Sequence, residues 1–128
     1  MKWSWCWAAG CIGLAMAALA CGGDGDQPES PDAGDTCPPS LSYALTARPF
    51  VERYCLTCHS PGSPDRHGAP AAANFDSLAG IRARGEVMHT FVQEGRMPPP
   101  EFPELPQPSA QERDTYVAWL ECSGSAAR

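Results

Sequence analysis

Two cysteines and a histidine stand close together in Cys55-Leu56-Thr57-Cys58-His59. The two thiols are three residues apart, a spacing that lets both reach the vinyl groups of one porphyrin and form thioether bonds. The adjacent imidazole of His59 then meets the iron from the same side of the ring. The spacing predicts one covalent haem c, held through Cys55 and Cys58, with His59 as an axial iron ligand.

The same three side chains permit two other interpretations. A thioredoxin-like redox pair needs a strand before its first cysteine and a helix after it, whereas a helical pattern precedes Cys55. A zinc site built on Cys55, Cys58 and His59 would normally be completed by a second close Cys or His pair. The sequence has no such second pair. Haem is therefore the favoured interpretation, and a haem-free metal or disulfide module is the alternative from another class.

The iron of an electron carrier usually has a second axial ligand, and a methionine thioether favours the reduced state. Met97 lies in Gly95-Arg96-Met97-Pro98-Pro99-Pro100, where a proline-stiffened loop can hold a sulfur without depending on helix register. The competitors are Met88, His67 and His89. We interpret His67 as a solvated loop residue and His89 as a partly buried structural histidine, which leaves Met97 as the preferred ligand.

Three helical segments are predicted to position these residues, so the fold class is all-α. In the first, Phe50, Tyr54 and Cys58 recur at four-residue spacing, and Cys55 lies on the neighbouring row. Both thiols should therefore lie on one apolar helix face. Strand signals are absent, because few β-branched residues occur and none alternate over a useful length.

The middle segment covers about residues 76–94 and carries large apolar residues at helical spacing. We expect it to break near Gly85 into two short helices and to end at Gly95, since glycine often closes a helix. A loop over residues 96–108, rich in proline, follows it.

The last helix has the clearest beginning. Ser109 and Glu112 have the spacing of a capping box and follow Pro108, and the helix is expected to end near Cys122. Its predicted buried stripe is formed by Tyr116, Val117, Trp119 and Leu120.

The chain of 128 residues has a formal net charge of −6, which is unevenly distributed. Five acids fall together without a basic residue: Asp24, Asp26, Glu29, Asp32 and Asp35. From Cys37 onward, ten acids stand against eight arginines. The folded part is therefore only mildly acidic, and it has no basic face for nucleic acid. Its length suits one small domain, which we place at residues 37–128.

The N-terminus is predicted to direct export. Lys2 precedes an apolar run over residues 3–20, so we interpret residues 1–20 as a signal peptide, with an uncleaved membrane span as the alternative. Residues 21–36 contain mostly Gly, Pro, Ser and acids and no large apolar side chain. Such a segment cannot bury enough apolar surface to offset its ordering entropy, which predicts a disordered tether.

The end of the apolar run, Ala18-Leu19-Ala20-Cys21, resembles the lipobox of bacterial lipoproteins. It departs from that pattern at Ala18, where leucine is usual. The resemblance implies lipid on Cys21, and more than one acyl chain gives stable membrane anchoring. With Gly22 as the next residue, it implies a lipid anchor in the outer membrane, facing the periplasm.

The region from Cys37 to Ser123 resembles a bacterial single-haem class I cytochrome c domain. The resemblance is carried by the CxxCH at 55–59 with Tyr54 before it, by the Met97 segment and by the pattern of the last helix. It implies a small helical domain wrapped around one covalent haem c. It also implies electron transfer rather than catalysis by this chain alone, with redox proteins as partners.

The same resemblance implies two sets of contacts. The first and last helices should cross beside the haem edge, with Phe50 and Tyr54 against the buried stripe of the last helix. A backbone carbonyl from the loop after Cys55–His59, the attachment motif, should accept a hydrogen bond from the His59 ring, and Pro70 is the candidate residue.

Two outlying cysteines distinguish this chain from small soluble carriers of that type. We predict a disulfide between Cys37 and Cys122, since export places the protein where thiols oxidise; two unpaired thiols are the alternative. With this disulfide no cysteine of the seven is left over, because Cys6 and Cys11 leave with the signal peptide. The others are assigned to lipid, to the disulfide and to haem.

The preferred function is single-electron transfer by an envelope-tethered protein. The alternative is a haem subunit or a gas or redox sensor of an envelope enzyme, in which Met97 would be absent from the iron or easily displaced. No set of acid, base and nucleophile accompanies the haem motif, so no enzymatic activity is predicted.

Overall fold

The computed structural model describes residues 36–126, which are helical and contain no strand. Five α-helices occur in this range: α1 (Arg48–Tyr54), α2 (Leu56–His59), α3 (Leu78–Arg82), α4 (Gly85–Gln93) and α5 (Ala110–Cys122). A 3-10 turn (Pro39–Leu41) and a π-helical turn (Tyr43–Ala47) precede α1. The all-α prediction is confirmed for this part of the chain.

The predictions for the N-terminal region fall outside the described residues. These are the signal peptide at 1–20, the lipid site Cys21 and the tether except for its final residue, Thr36. Across residues 36–126, every helix is too short or too polar to span a bilayer.

The first predicted helix is divided at Cys55. The Cys58 amide donates to the Cys55 carbonyl at 3.2 Å, a tighter i to i−3 bond, and Cys55 itself has φ −117° and ψ −40°. Cys55 therefore lies between α1 and α2, and Cys58 lies within α2. The first predicted helical segment is thus interrupted at one residue, because apolar spacing does not register a local change of hydrogen-bond partner.

The middle segment breaks where predicted, between α3 and α4. A Cβ added to Gly85 would lie 1.6 Å from the backbone oxygen of Ser125, far inside van der Waals contact. Only glycine permits this approach of the start of α4 to the end of the described chain.

The core is built around α5. Tyr116, Trp119 and Leu120 are fully buried. The Phe50 ring stacks on Tyr116 with centroids 4.2 Å apart, as the resemblance implied. Trp119 lies instead beside Tyr43 of the π-helical turn, with ring centroids 6.1 Å apart. Two elements that precede the attachment motif, α1 and the π-helical turn, thus pack against α5.

A disulfide joins the two ends of this domain. Cys37 and Cys122 are bonded, with Cα atoms 5.0 Å apart and a sequence separation of 85 residues. The Thr36 hydroxyl donates a hydrogen bond to the carbonyl of Cys122 at the same junction. The start of the domain is therefore fixed to the end of α5.

The capping box predicted at Ser109 is present and extends to α1. The Glu112 carboxylate accepts hydrogen bonds from the Ser109 amide at 2.8 Å and from the Ser109 hydroxyl at 2.7 Å. The Tyr54 hydroxyl donates to the other carboxylate oxygen of Glu112 at 2.7 Å. These hydrogen bonds lower the pKa of Glu112 to about 2, and the Ser109 amide contributes most. The positive charge of Arg53 also lowers this pKa and contributes least.

This pKa makes acid stability depend on Glu112. A carboxyl with a lowered folded-state pKa contributes stability above its usual value of 4.5, and that stability is lost as pH falls toward about 2. Glu112→Gln should therefore reduce the free energy of unfolding at pH 6 and make it less dependent on pH between about 4.5 and 2, as measured by urea unfolding. Glu101→Gln, which removes an exposed loop carboxylate, is the control. The interpretation fails if Glu112→Gln keeps the wild-type acid dependence.

Candidate functional site

A cavity of about 250 Å³ lies between α1, α2, α4 and the loops that follow α2 and α4. The four predicted haem residues, Cys55, Cys58, His59 and Met97, all line it. Most of the remaining lining is apolar, and includes Phe50, Tyr54, Ala73, Phe75, Val87, Phe91, Val92, Pro98, Pro99 and Leu105. The fold thus brings the attachment motif and the distant Met97 to one apolar cavity.

Both thiols of the attachment motif are free. Removal from water raises the pKa of the Cys55 thiol to about 12, and the neighbouring Cys58 adds to the effect. The pKa of Cys58 is also raised, mainly by desolvation and then by the charge of Asp65. Both sulfurs are therefore protonated at neutral pH.

The His59 ring is fixed from several directions. Its Nδ1 lies 2.9 Å from the carbonyl oxygen of Ala73, and its ring stacks on Phe75 with centroids 4.4 Å apart. The Phe75 amide donates to the His59 carbonyl at 2.9 Å. Because a carbonyl oxygen can only accept, Nδ1 carries the proton and Nε2 retains a lone pair.

The expected carbonyl partner of His59 was placed at the wrong residue. Pro70 was the candidate, but the partner is Ala73, and the Pro70 carbonyl accepts instead from the Ala73 amide at 2.9 Å and from Arg66 at 2.7 Å. The hydrogen bond between Pro70 and Ala73 closes a turn, and the Ala73 carbonyl points from that turn toward His59. Loop composition does not specify which carbonyl such a turn presents.

Burial and charge keep the His59 ring neutral. Desolvation lowers its pKa most, and the positive charge of Arg66 lowers it further, while the bond to Ala73 opposes both. A neutral imidazole with a free Nε2 is the form that ligates a metal ion.

The end of α4 directs the chain into Met97. Gly95 has φ +69°, and its amide donates to the Val92 carbonyl at 3.1 Å. The amides of Arg96 and Met97 both donate to the Phe91 carbonyl, at 2.8 and 3.1 Å. These bonds form a Schellman motif, which confirms Gly95 as the stop of the helix. The position of Met97 therefore follows from how α4 ends.

A side chain from α5 holds the Met97 backbone. The Arg113 guanidinium donates to the Met97 carbonyl at 2.7 Å through Nη1, which also lies 3.4 Å from the Val92 carbonyl. A charge-assisted bond of this kind is stronger than a neutral one. The loop that carries Met97 is thereby fastened to α5, the helix that contains the fully buried Tyr116, Trp119 and Leu120.

Two of the competing ligands have other partners. Met88 lines the cavity, but its sulfur accepts a hydrogen bond from the Tyr116 hydroxyl at 3.8 Å. His89 does not line the cavity, and its Nε2 lies 3.0 Å from Glu121 of α5. His89 is therefore the structural histidine that its position predicted.

The third competitor, His67, is not a solvated loop residue, and that prediction was wrong. Its side chain is only 23% exposed and lines the cavity. Its ring lies edge-on to Phe102 at 4.8 Å. Phe102 belongs to the proline-rich loop over residues 96–108, so this is a tertiary contact that local sequence does not reveal.

Arg66 was missed by the sequence-based predictions. Its guanidinium makes five hydrogen bonds within the loop between α2 and α3, to Ser60, Ala69, Pro70, Ala73 and Asn74. The available signal was the single arginine in a long irregular loop, where backbone carbonyls need donors that no helix or sheet supplies.

Neither a protein-family model, nor a curated protein, nor a solved structure matches this chain. Within residues 36–126, no group of three or more His, Cys, Asp and Glu side chains is arranged to hold a metal ion.

Proposed function

We propose that this chain binds one haem c covalently through Cys55 and Cys58, with His59 and Met97 as axial ligands, and transfers single electrons. The observation that carries the proposal is that all four side chains line one apolar cavity, although Met97 lies far along the chain from the other three. The resemblance to class I cytochrome c domains supports the same assignment.

The chemistry of these side chains fits a c-type haem. Each thiol would add across one vinyl group, with its hydrogen passing to the vinyl carbon, so attachment needs no oxidant. His59 offers Nε2 because Ala73 engages Nδ1. When bound, the haem supplies an iron that alternates between the ferric and ferrous states. The chain orients both ligands and surrounds the ring with apolar side chains, which exclude water.

The proposed setting is the cell envelope. Lipid on Cys21 would attach the protein to the outer membrane, and redox proteins would be its partners. The Cys37–Cys122 disulfide supports an oxidising compartment, where such bonds persist.

A second candidate is sensing of a diatomic gas as a haem subunit of an envelope enzyme. It is favoured by His67, which brings a second imidazole to the cavity, because polar groups near a haem influence gas binding. Fast carbon monoxide binding by the reduced protein would support this candidate over electron transfer.

The test is to produce the full chain in a bacterium that exports and matures c-type haem proteins. The purified protein should give a pyridine haemochrome spectrum, keep its haem after extraction with acidified acetone, and show the mass of one haem. The variant Cys55→Ser/Cys58→Ser should lose all covalent haem. Wild-type protein without covalent haem would overturn the proposal.

A further inference from the structure

Arg66 is saturated with hydrogen bonds. Its Nη1 donates to Ser60 and Asn74 oxygens at 2.6 and 3.0 Å, and its Nη2 donates to the carbonyls of Pro70 and Ala73 at 2.7 and 3.1 Å. The fifth N–H, on Nε, donates to the Ala69 carbonyl at 3.3 Å. A guanidinium has five N–H groups. Arg66 therefore has no donor left for an anionic ligand, even though it lines the cavity.

One of these five acceptors also serves His59. The Ala73 carbonyl oxygen lies 2.9 Å from His59 Nδ1 and 3.1 Å from Arg66 Nη2. A carbonyl oxygen has two lone pairs and can accept both bonds. Arg66 thus fixes the carbonyl that orients His59, and it polarises that carbonyl with a positive charge.

The structure assigns Arg66 as a positioning residue that holds the Ala73 carbonyl on His59 and raises the reduction potential of the haem. This inference rests on the proposed function. A carbonyl that already accepts from a guanidinium is a weaker acceptor for Nδ1–H, so the imidazole donates less charge to the iron. The fixed positive charge also disfavours the more positive ferric iron. Both effects stabilise the ferrous state.

The test compares the reduction potentials of three variants by spectroelectrochemistry. Arg66→Gln removes both the charge and the guanidinium fork. Arg66→Lys keeps the charge but cannot reach all five acceptors. It tests the inference if the glutamine variant does not fold. Arg84→Gln is the matched control, because Arg84 also lines the cavity but is exposed and makes no hydrogen bond with Ala73.

The potential should fall most in Arg66→Gln, less in Arg66→Lys and least in Arg84→Gln. Equal shifts of the potential in Arg66→Gln and Arg84→Gln would show that only the loss of a positive charge matters. That result would overturn the inference. An unchanged or raised potential in Arg66→Lys would also overturn it. A pyridine haemochrome on each sample separates these results from failure of the proposed function, in which the wild-type chain carries no covalent haem.

Discussion

Replacing Met97 by alanine is expected to lower the reduction potential of the proposed haem by on the order of a few tenths of a volt, within the range of about 0.8 V that axial ligands control. The thioether stabilises ferrous iron, so water or an imidazole in its place shifts the balance toward ferric iron. The oxidised variant should also lose the weak long-wavelength absorption band that the resemblance to class I cytochromes c implies for methionine ligation. Spectroelectrochemistry and absorption spectroscopy measure the two effects.

Met88→Leu is the control for that experiment. Met88 lines the same cavity, but its sulfur accepts a hydrogen bond from the Tyr116 hydroxyl, and leucine conserves most of the side-chain volume. This variant should keep the absorption band and a potential near that of the wild type. If Met88→Leu loses the band while Met97→Ala retains it, the assignment of the sixth ligand is reversed.

Loss of the Cys37–Cys122 disulfide should reduce the free energy of unfolding by on the order of 4 kcal/mol. The bond closes a loop with a sequence separation of 85 residues, so its removal greatly enlarges the unfolded ensemble. The double variant Cys37→Ser/Cys122→Ser should unfold at a much lower urea concentration than the wild type.

A thiol reductant provides the internal control for this prediction. It cleaves the disulfide but would leave the proposed thioether bonds to haem intact, so it should bring wild-type stability down to that of the double variant. The double variant itself should not respond. A loss below about 1 kcal/mol would show that native-state strain or residual unfolded-state structure cancels the entropic gain.

The parts of the fold that local chemistry determines were predictable. Ser109 and Glu112 satisfy orphan amides at the start of α5 within four residues, and their spacing is visible in the sequence. Gly95 ends α4 because a left-handed residue is needed there. The proline-rich loop after α4 was also predictable, and Met97 in that loop lines the cavity.

The contacts that depend on tertiary geometry were not predictable. Choosing Ala73 over Pro70 required knowing which carbonyl a turn presents. The burial of His67 depends on a loop some 35 residues further along the chain, at Phe102. The role of Arg66 depends on five acceptors that converge only when the loop folds. In each case the contact is made by a backbone oxygen or by a ring that is distant in the sequence. Neither produces a recognisable pattern in side-chain spacing.

The disulfide also determines how the domain would bear a mechanical load. If the protein is anchored through Cys21, tension from the membrane enters the fold at Cys37 and crosses a covalent bond to Cys122 at the end of α5. The segment that carries Cys55 and His59 lies outside that path. A pull on the anchor would therefore be borne by the junction of the two domain ends, and Cys55 and His59 would be shielded from it.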